Sequence, residues 1–130
     1  MIKPNLLLLT AVAALALCGV AQAHPRLLSS DPAEGSTVTP TNHIEIHFSE
    51  PLVLRFTGAD LTQTSMMMNG RMTSMQMRVG ALTATLAAND PKTLVLTARA
   101  NLSPGAYRLQ WHAVSTDTHR VTGALTFSVH

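Results

Sequence analysis

Three short stretches of this sequence carry residues that could do chemistry: "HP" at 24–25, "DTH" at 117–119 and "MMMNGRMTSMQM" at 66–77. A histidine at the start of a chain offers its α-amine and its imidazole Nδ1, which close a six-membered chelate ring on one metal ion. His24 gains that amine if the chain is cut behind Ala23, and Ala21-Gln22-Ala23 is the small-x-small pattern that signal peptidase cuts behind. A free α-amine titrates near ~7.7–8.0, so a metal displaces its proton at little cost at neutral pH. Pro25 has no N–H to deprotonate. Chelation by the terminus therefore stops at two nitrogens, and further ligands must come from elsewhere in the fold.

Asp117 and His119 supply the complement. They fall between two strand-like stretches, and in an extended segment residues i and i+2 point to the same side. Two nitrogens from His24, one from His119 and an oxygen from Asp117 make a tetragonal N/O set, which suits copper(II). Glu50, in "HFSEPL" (47–52), is either a further weak ligand, the group that orients the His119 imidazole, or an exposed strand-end carboxylate.

The third stretch is sulfur-rich. Met66, Met67, Met68, Met72, Met75 and Met77 surround Asn69-Gly70 and break the strand alternation, so a hairpin or long loop carrying thioethers is expected. Methionine also fills core gaps, but six clustered around a glycine-containing turn do not read as core. The single cysteine, Cys18, leaves with the leader, so a soft metal site in the processed chain must use thioether sulfur. That leaves no disulfide partner either. His43 and His47 alternate with Ile44 and Ile46, and His112 opposes Trp111, so these three read as solvent-facing rather than as ligands. No nucleophile elbow surrounds a serine, and no glycine-rich phosphate loop is present.

The elements that must position these groups are short strands. "HIEIHF" (43–48), "ALTATL" (81–86), "TLVLT" (93–97), "AYRLQWHAV" (106–114) and "ALTFSV" (124–129) alternate apolar with polar. Turn signals separate them at "DPAEGS", "TGAD", "ANDP", "SPGA" and "DTHRVTG". Such spacing predicts an all-β, antiparallel Greek-key sandwich or barrel, cupredoxin-like or immunoglobulin-like, as a single domain over 24–130. Residues 1–23 read as a secretory signal peptide: Lys3 opens it and an apolar run follows. Leu17 stands where a lipoprotein site normally carries a small residue, which favours cleavage behind Ala23 over lipidation at Cys18. Losing Lys3 lowers the formal charge of +2 by one. With basic residues scattered singly and aromatics few, nucleic-acid binding is excluded as a reading.

The mature start "HPRLLSSDPAEGS", then "IEIHFSEPL", "FTGADL" and "GAYRLQWHAVSTDTHRVTGALTFSV", together resemble the CopC-type periplasmic copper-binding proteins over residues 24–129. The resemblance implies a small β-sandwich with a copper(II) site at His24, Asp117 and His119, and Glu50 nearby. It also implies a copper(I) site in the methionine segment, for which Met66, Met72 and Met75 align best. Two departures stand out: Gln63 occupies the place of that segment's first methionine, and no histidine lies between Phe48 and Trp111. The implied role is a monomeric periplasmic copper carrier for resistance or homeostasis, not an enzyme, that delivers to an inner-membrane copper transport protein of the CopD type. The alternatives are a copper monooxygenase with a histidine brace and a structural β-sandwich module without metal.

Overall fold

The structure, a computed structural model, describes residues 24–130. The expected signal peptide, residues 1–23 with Cys18, lies outside the described residues. Nine strands follow in order: β1 Leu27–Asp31, β2 Thr37–Val38, β3 His43–Phe48, β4 Gly58–Met68, β5 Arg71–Arg78, β6 Thr83–Ala87, β7 Asp90–Thr97, β8 Gly105–Val114 and β9 Arg120–Val129. A single 3-10 turn, Leu54–Phe56, joins β3 to β4.

Two sheets result, one of four strands in the order β1-β3-β7-β6 and one of five in the order β2-β9-β8-β4-β5. The chain passes between sheets five times, which is the sandwich expected from the alternation. All pairings are antiparallel except that of the short β2 with β9. The core is built from the inward positions of the alternating strands: Ile44, Ile46 and Phe48 with Leu94 and Leu96 from one sheet, Leu61, Tyr107, Leu109, Trp111, Leu125 and Phe127 from the other. Each such side chain contributes about 1.5–3 kcal/mol by leaving water. Phe48 meets Trp111 edge to face across the two sheets, with ring centroids 5.1 Å apart. Gly123, opposite Trp111 in β9, leaves room for the indole, since a Cβ there would lie 2.3 Å from a ring carbon.

One local expectation is corrected. "TGAD" is not a turn: Gly58, Ala59 and Asp60 begin β4 and pair with His112, Trp111 and Gln110 of β8. The methionine segment takes the hairpin form of the two that were expected: it is the end of β4, a tight turn and most of β5. Its turn is Asn69-Gly70, with φ of 49° and 74°, the positive values that a two-residue hairpin turn demands. Three thioethers in a row at Met66, Met67 and Met68 break the apolar–polar alternation, and the register of the pair shifts between Gln63 and Ser65.

Beside the C-terminal end of β3, the Asp90 carboxylate accepts hydrogen bonds from the Thr93 hydroxyl and, at 3.0 Å, the Lys92 backbone N–H. These contacts, the Thr93 hydroxyl first, hold its carboxyl below the usual carboxylate range. A folded-state pKa below the unfolded one means stabilisation that is complete above about pH 4 and lost as pH falls through the folded value. Urea midpoints measured from pH 5 to pH 2 should therefore fall less steeply for Asp90→Asn than for the native chain.

Candidate metal centre

The segment Ser49-Glu50-Pro51, just past β3, is the point where both halves of the expected N/O site are tied down. On one side, Ser49 grips the chain around Pro25. The Arg26 N–H donates to Ser49 Oγ at 2.9 Å, the Ser49 N–H donates to the Arg26 carbonyl at 2.9 Å, and Ser49 Oγ reaches the His24 carbonyl at 3.5 Å. Pro25 itself is buried while His24 stays exposed. On the other side, the Thr116 N–H donates to the Pro51 carbonyl at 3.1 Å, and Leu52 bridges Ser115.

Asp117 and His119 do not sit in an extended segment. Residues 115–119 form a tight turn: the Thr118 N–H donates to the Ser115 carbonyl at 2.9 Å, the Ser115 N–H to the His119 carbonyl at 3.0 Å, and Thr118 has a φ of 74°. The two side chains still converge, but through turn closure rather than strand alternation. His119 Nδ1 lies 3.0 Å from Asp117 Oδ2, and Ser115 Oγ donates to Asp117 Oδ1. The Ser115 hydroxyl is the largest influence holding the Asp117 carboxyl below its ordinary value, with the His119 hydrogen bond adding to it. An ionised Asp117 can only accept, so His119 Nδ1 carries the proton and Nε2 keeps its lone pair. That is how a second carboxylate commonly orients a metal-binding imidazole.

The His24 and His119 rings then meet edge to face, centroids 4.3 Å apart at 66°. Of the expected set, His24, Asp117 and His119 are thus together. Glu50 is half-buried between the two anchors, and no ion pair among the described residues includes it. The imidazole of His119 is oriented by Asp117, not by Glu50. Ser49, next to Glu50, and Ser115, two residues before Asp117, carry no signal of their own in the sequence. Among the described residues no group of three or more His, Cys, Asp and Glu side chains is arranged to hold a metal ion as it stands. The arrangement is two neighbouring imidazoles and one anchored carboxylate.

On the hairpin, the register pairs Met67 with Met72, Met66 with Thr73 and Gln63 with Met77. Cross-strand partners share a face, so Met66 and Met72 lie on opposite faces, and Met75 falls in the irregular stretch between the pairs Ser65–Ser74 and Gln63–Met77. The register therefore does not bring Met66, Met72 and Met75 to one face; it brings Met67 and Met72 together, 52% and 54% exposed. Gln63 is buried, its Nε2 donating to the carbonyls of Ser65 at 3.2 Å and Pro104 at 3.3 Å. It holds the hairpin base and faces no open donor set.

Comparison with known proteins adds the lineage. The sequence model described as the CopC domain matches residues 27–130. The chain belongs to the CopC family. Among CopC-family relatives, copper resistance protein C of Pseudomonas syringae pv. tomato is 46% identical over 117 residues, covering 90% of this chain and 89% of that one. Copper resistance protein C of Escherichia coli is 45% identical over 109 residues, covering 84% and 83%. The crystal structure of PcoC, a methionine-rich copper resistance protein from Escherichia coli, superposes with a TM-score of 0.72 at 42% identity, over 83% of this chain and 100% of that one. This CopC-family chain shares its β-sandwich fold with that structure.

Proposed function

We propose that the chain is processed behind Ala23 and works in the periplasm as a monomeric copper-binding protein of copper resistance, a carrier rather than an enzyme. The observation that carries this is the 4.3 Å contact of the His24 and His119 rings beside the Asp117 carboxylate. Copper(II) would be held by the α-amine and imidazole of His24 and by His119 Nε2. The Asp117 carboxylate would hold His119 and balance the ion's charge, and Glu50 would lie close by. This is a nitrogen-rich set with one anionic oxygen, which suits copper(II). The names of the relatives support copper as the cargo.

Copper(I), the softer ion, would bind thioethers of the β4–β5 hairpin. The register supports Met67 with Met72 as its centre, in place of the combination of Met66 with Met72 and Met75. Two sites of unlike softness would tie loading and release to the oxidation state of copper, with a CopD-like inner-membrane transport protein as the recipient.

Two double variants test this reading. Asp117→Asn/His119→Ala should bind copper(II) at least about tenfold more weakly and copper(I) normally. Met67→Leu/Met72→Leu should do the reverse in a competition assay under reductant. Unchanged copper(II) affinity in the first variant overturns the N/O site, and unchanged copper(I) affinity in the second overturns the assignment to this methionine pair.

A further inference from the structure

The outer face of the four-stranded sheet carries a second group of nitrogen and oxygen donors. Alternation in β3 turns Ile44, Ile46 and Phe48 into the core and His43, Glu45 and His47 outward together. They are not merely solvated. Glu45 stands between the two rings, its Oε1 2.9 Å from His43 Nε2 and its Oε2 3.7 Å from His47 Nε2. From β1, Asp31 lies directly across from Glu45 and Ser29 across from His47. From β7, Thr93, Val95 and Thr97 lie across from His47, Glu45 and His43.

The protons can be assigned along this row. The Thr93 hydroxyl donates its one proton to Asp90 Oδ2. The 2.8 Å contact between Thr93 Oγ1 and His47 Nδ1 must then have Nδ1–H as the donor. In the neutral ring, Nε2 therefore keeps its lone pair and faces a carboxylate oxygen. Two acceptors 3.7 Å apart repel, and that separation is too long for a hydrogen bond. A cation between them removes the conflict. An imidazole whose remote N–H is fixed by a polar partner is also the usual arrangement behind a metal-bound histidine.

We propose that His43, Glu45 and His47, joined by Asp31 across the strand pair, bind a borderline divalent cation of the zinc(II) or copper(II) class. Two imidazole nitrogens with one or two carboxylate oxygens complete a tetrahedral zinc(II) set. Copper(II) takes the same donors more tightly, whereas calcium and magnesium prefer all-oxygen surroundings. The three β3 side chains are 48%, 35% and 38% exposed in order, so an ion reaches them from solvent. Among the described residues no group of three or more His, Cys, Asp and Glu side chains is arranged to hold a metal ion, so these donors must turn inward to bind one. Entry of the metal displaces the proton that His43 Nε2 shares with Glu45 and turns the carboxylate toward His47.

The test uses the processed chain carrying His24→Ala and His119→Ala, which lacks the copper(II) donors proposed above. Zinc(II) is added by equilibrium dialysis at pH 7.5, with bound metal quantified and folding followed by circular dichroism. One zinc ion per chain is expected, displaced by copper(II). Adding His43→Gln and His47→Gln should weaken retention by more than about a hundredfold, and Glu45→Gln alone by at least about tenfold. No zinc bound at about 1 mM free metal, or equal retention without the two β3 histidines, overturns the site.

Discussion

One residue added ahead of His24 is expected to weaken copper(II) binding by the processed chain more than about a hundredfold. The addition converts the α-amine into an amide, which neither protonates nor coordinates in the same way, and it leaves every side chain in place. Losing an outer partner of a metal ligand already costs about 10–100-fold, and the proposed site would lose a direct ligand and its chelate ring together. Pro25 removes the usual compensation, because no backbone N–H follows to be recruited. Its burial and the Ser49 hydrogen bonds also prevent the chain from sliding to present another donor. Calorimetric or competitive titration of the two forms reads the difference directly. Equal affinity would mean that the terminus takes no part.

The largest expected effect on stability lies at the other end of β8. Gly105→Ala should lower the unfolding free energy by about 3 kcal/mol or more, from steric overlap and backbone strain together. Gly105 has a φ of 149°, and a Cβ there would stand 2.1 Å from the Ser65 carbonyl oxygen and 2.7 Å from Gln63 Nε2. Those atoms cannot yield cheaply. The Ser65 carbonyl belongs to the β4 bulge and accepts from Gln63, which is itself wedged against Pro104. For a domain of this size the loss corresponds to roughly 12 °C or more in Tm. Gly80→Ala, where nothing lies within 4 Å of the added methyl, is the matched control and should be close to neutral. A melting curve for Gly105→Ala that overlays the control would show that the bulge rearranges freely.

The pattern of success in reading the sequence follows from what each signal measures. Strands β3, β7, β8 and β9 were legible because one face of each is buried, so apolar residues recur at every second position. β1 was not, since "LLSSD" has no fully buried residue, lies at a sheet edge and slips register between Leu27 and Ser29. β5 was missed for a similar reason: only Met75 is even half-buried, and an edge strand of a hairpin needs no core face. Periodicity reports burial, not backbone pairing. The expected association of His24 with Asp117 and His119 matches the geometry, but its supports do not announce themselves in sequence. Ser49 and Ser115 act through backbone and carboxylate hydrogen bonds that form only once β1, β3 and the 115–119 turn are assembled. The His43–Glu45–His47 row illustrates the converse. Alternation put it outside, as the structure has it, while the Thr93–Asp90 pair that hydrogen-bonds His47 comes from a different strand and leaves no mark on β3.

β8 also sets a distance. Gly105 at its start pairs with Met66 of the methionine hairpin, and Val114 at its end leads into the Asp117–His119 turn. Ten residues of extended chain span about 30 Å. Proposed thioether and imidazole sites at opposite poles of one stiff strand cannot pass an ion by ligand exchange within the molecule, where successive donors must come within a few ångströms. Traffic between them requires a second molecule, so with an added reductant supplying the electron, transfer of copper from the imidazole site to the thioether site should follow bimolecular kinetics and accelerate with protein concentration.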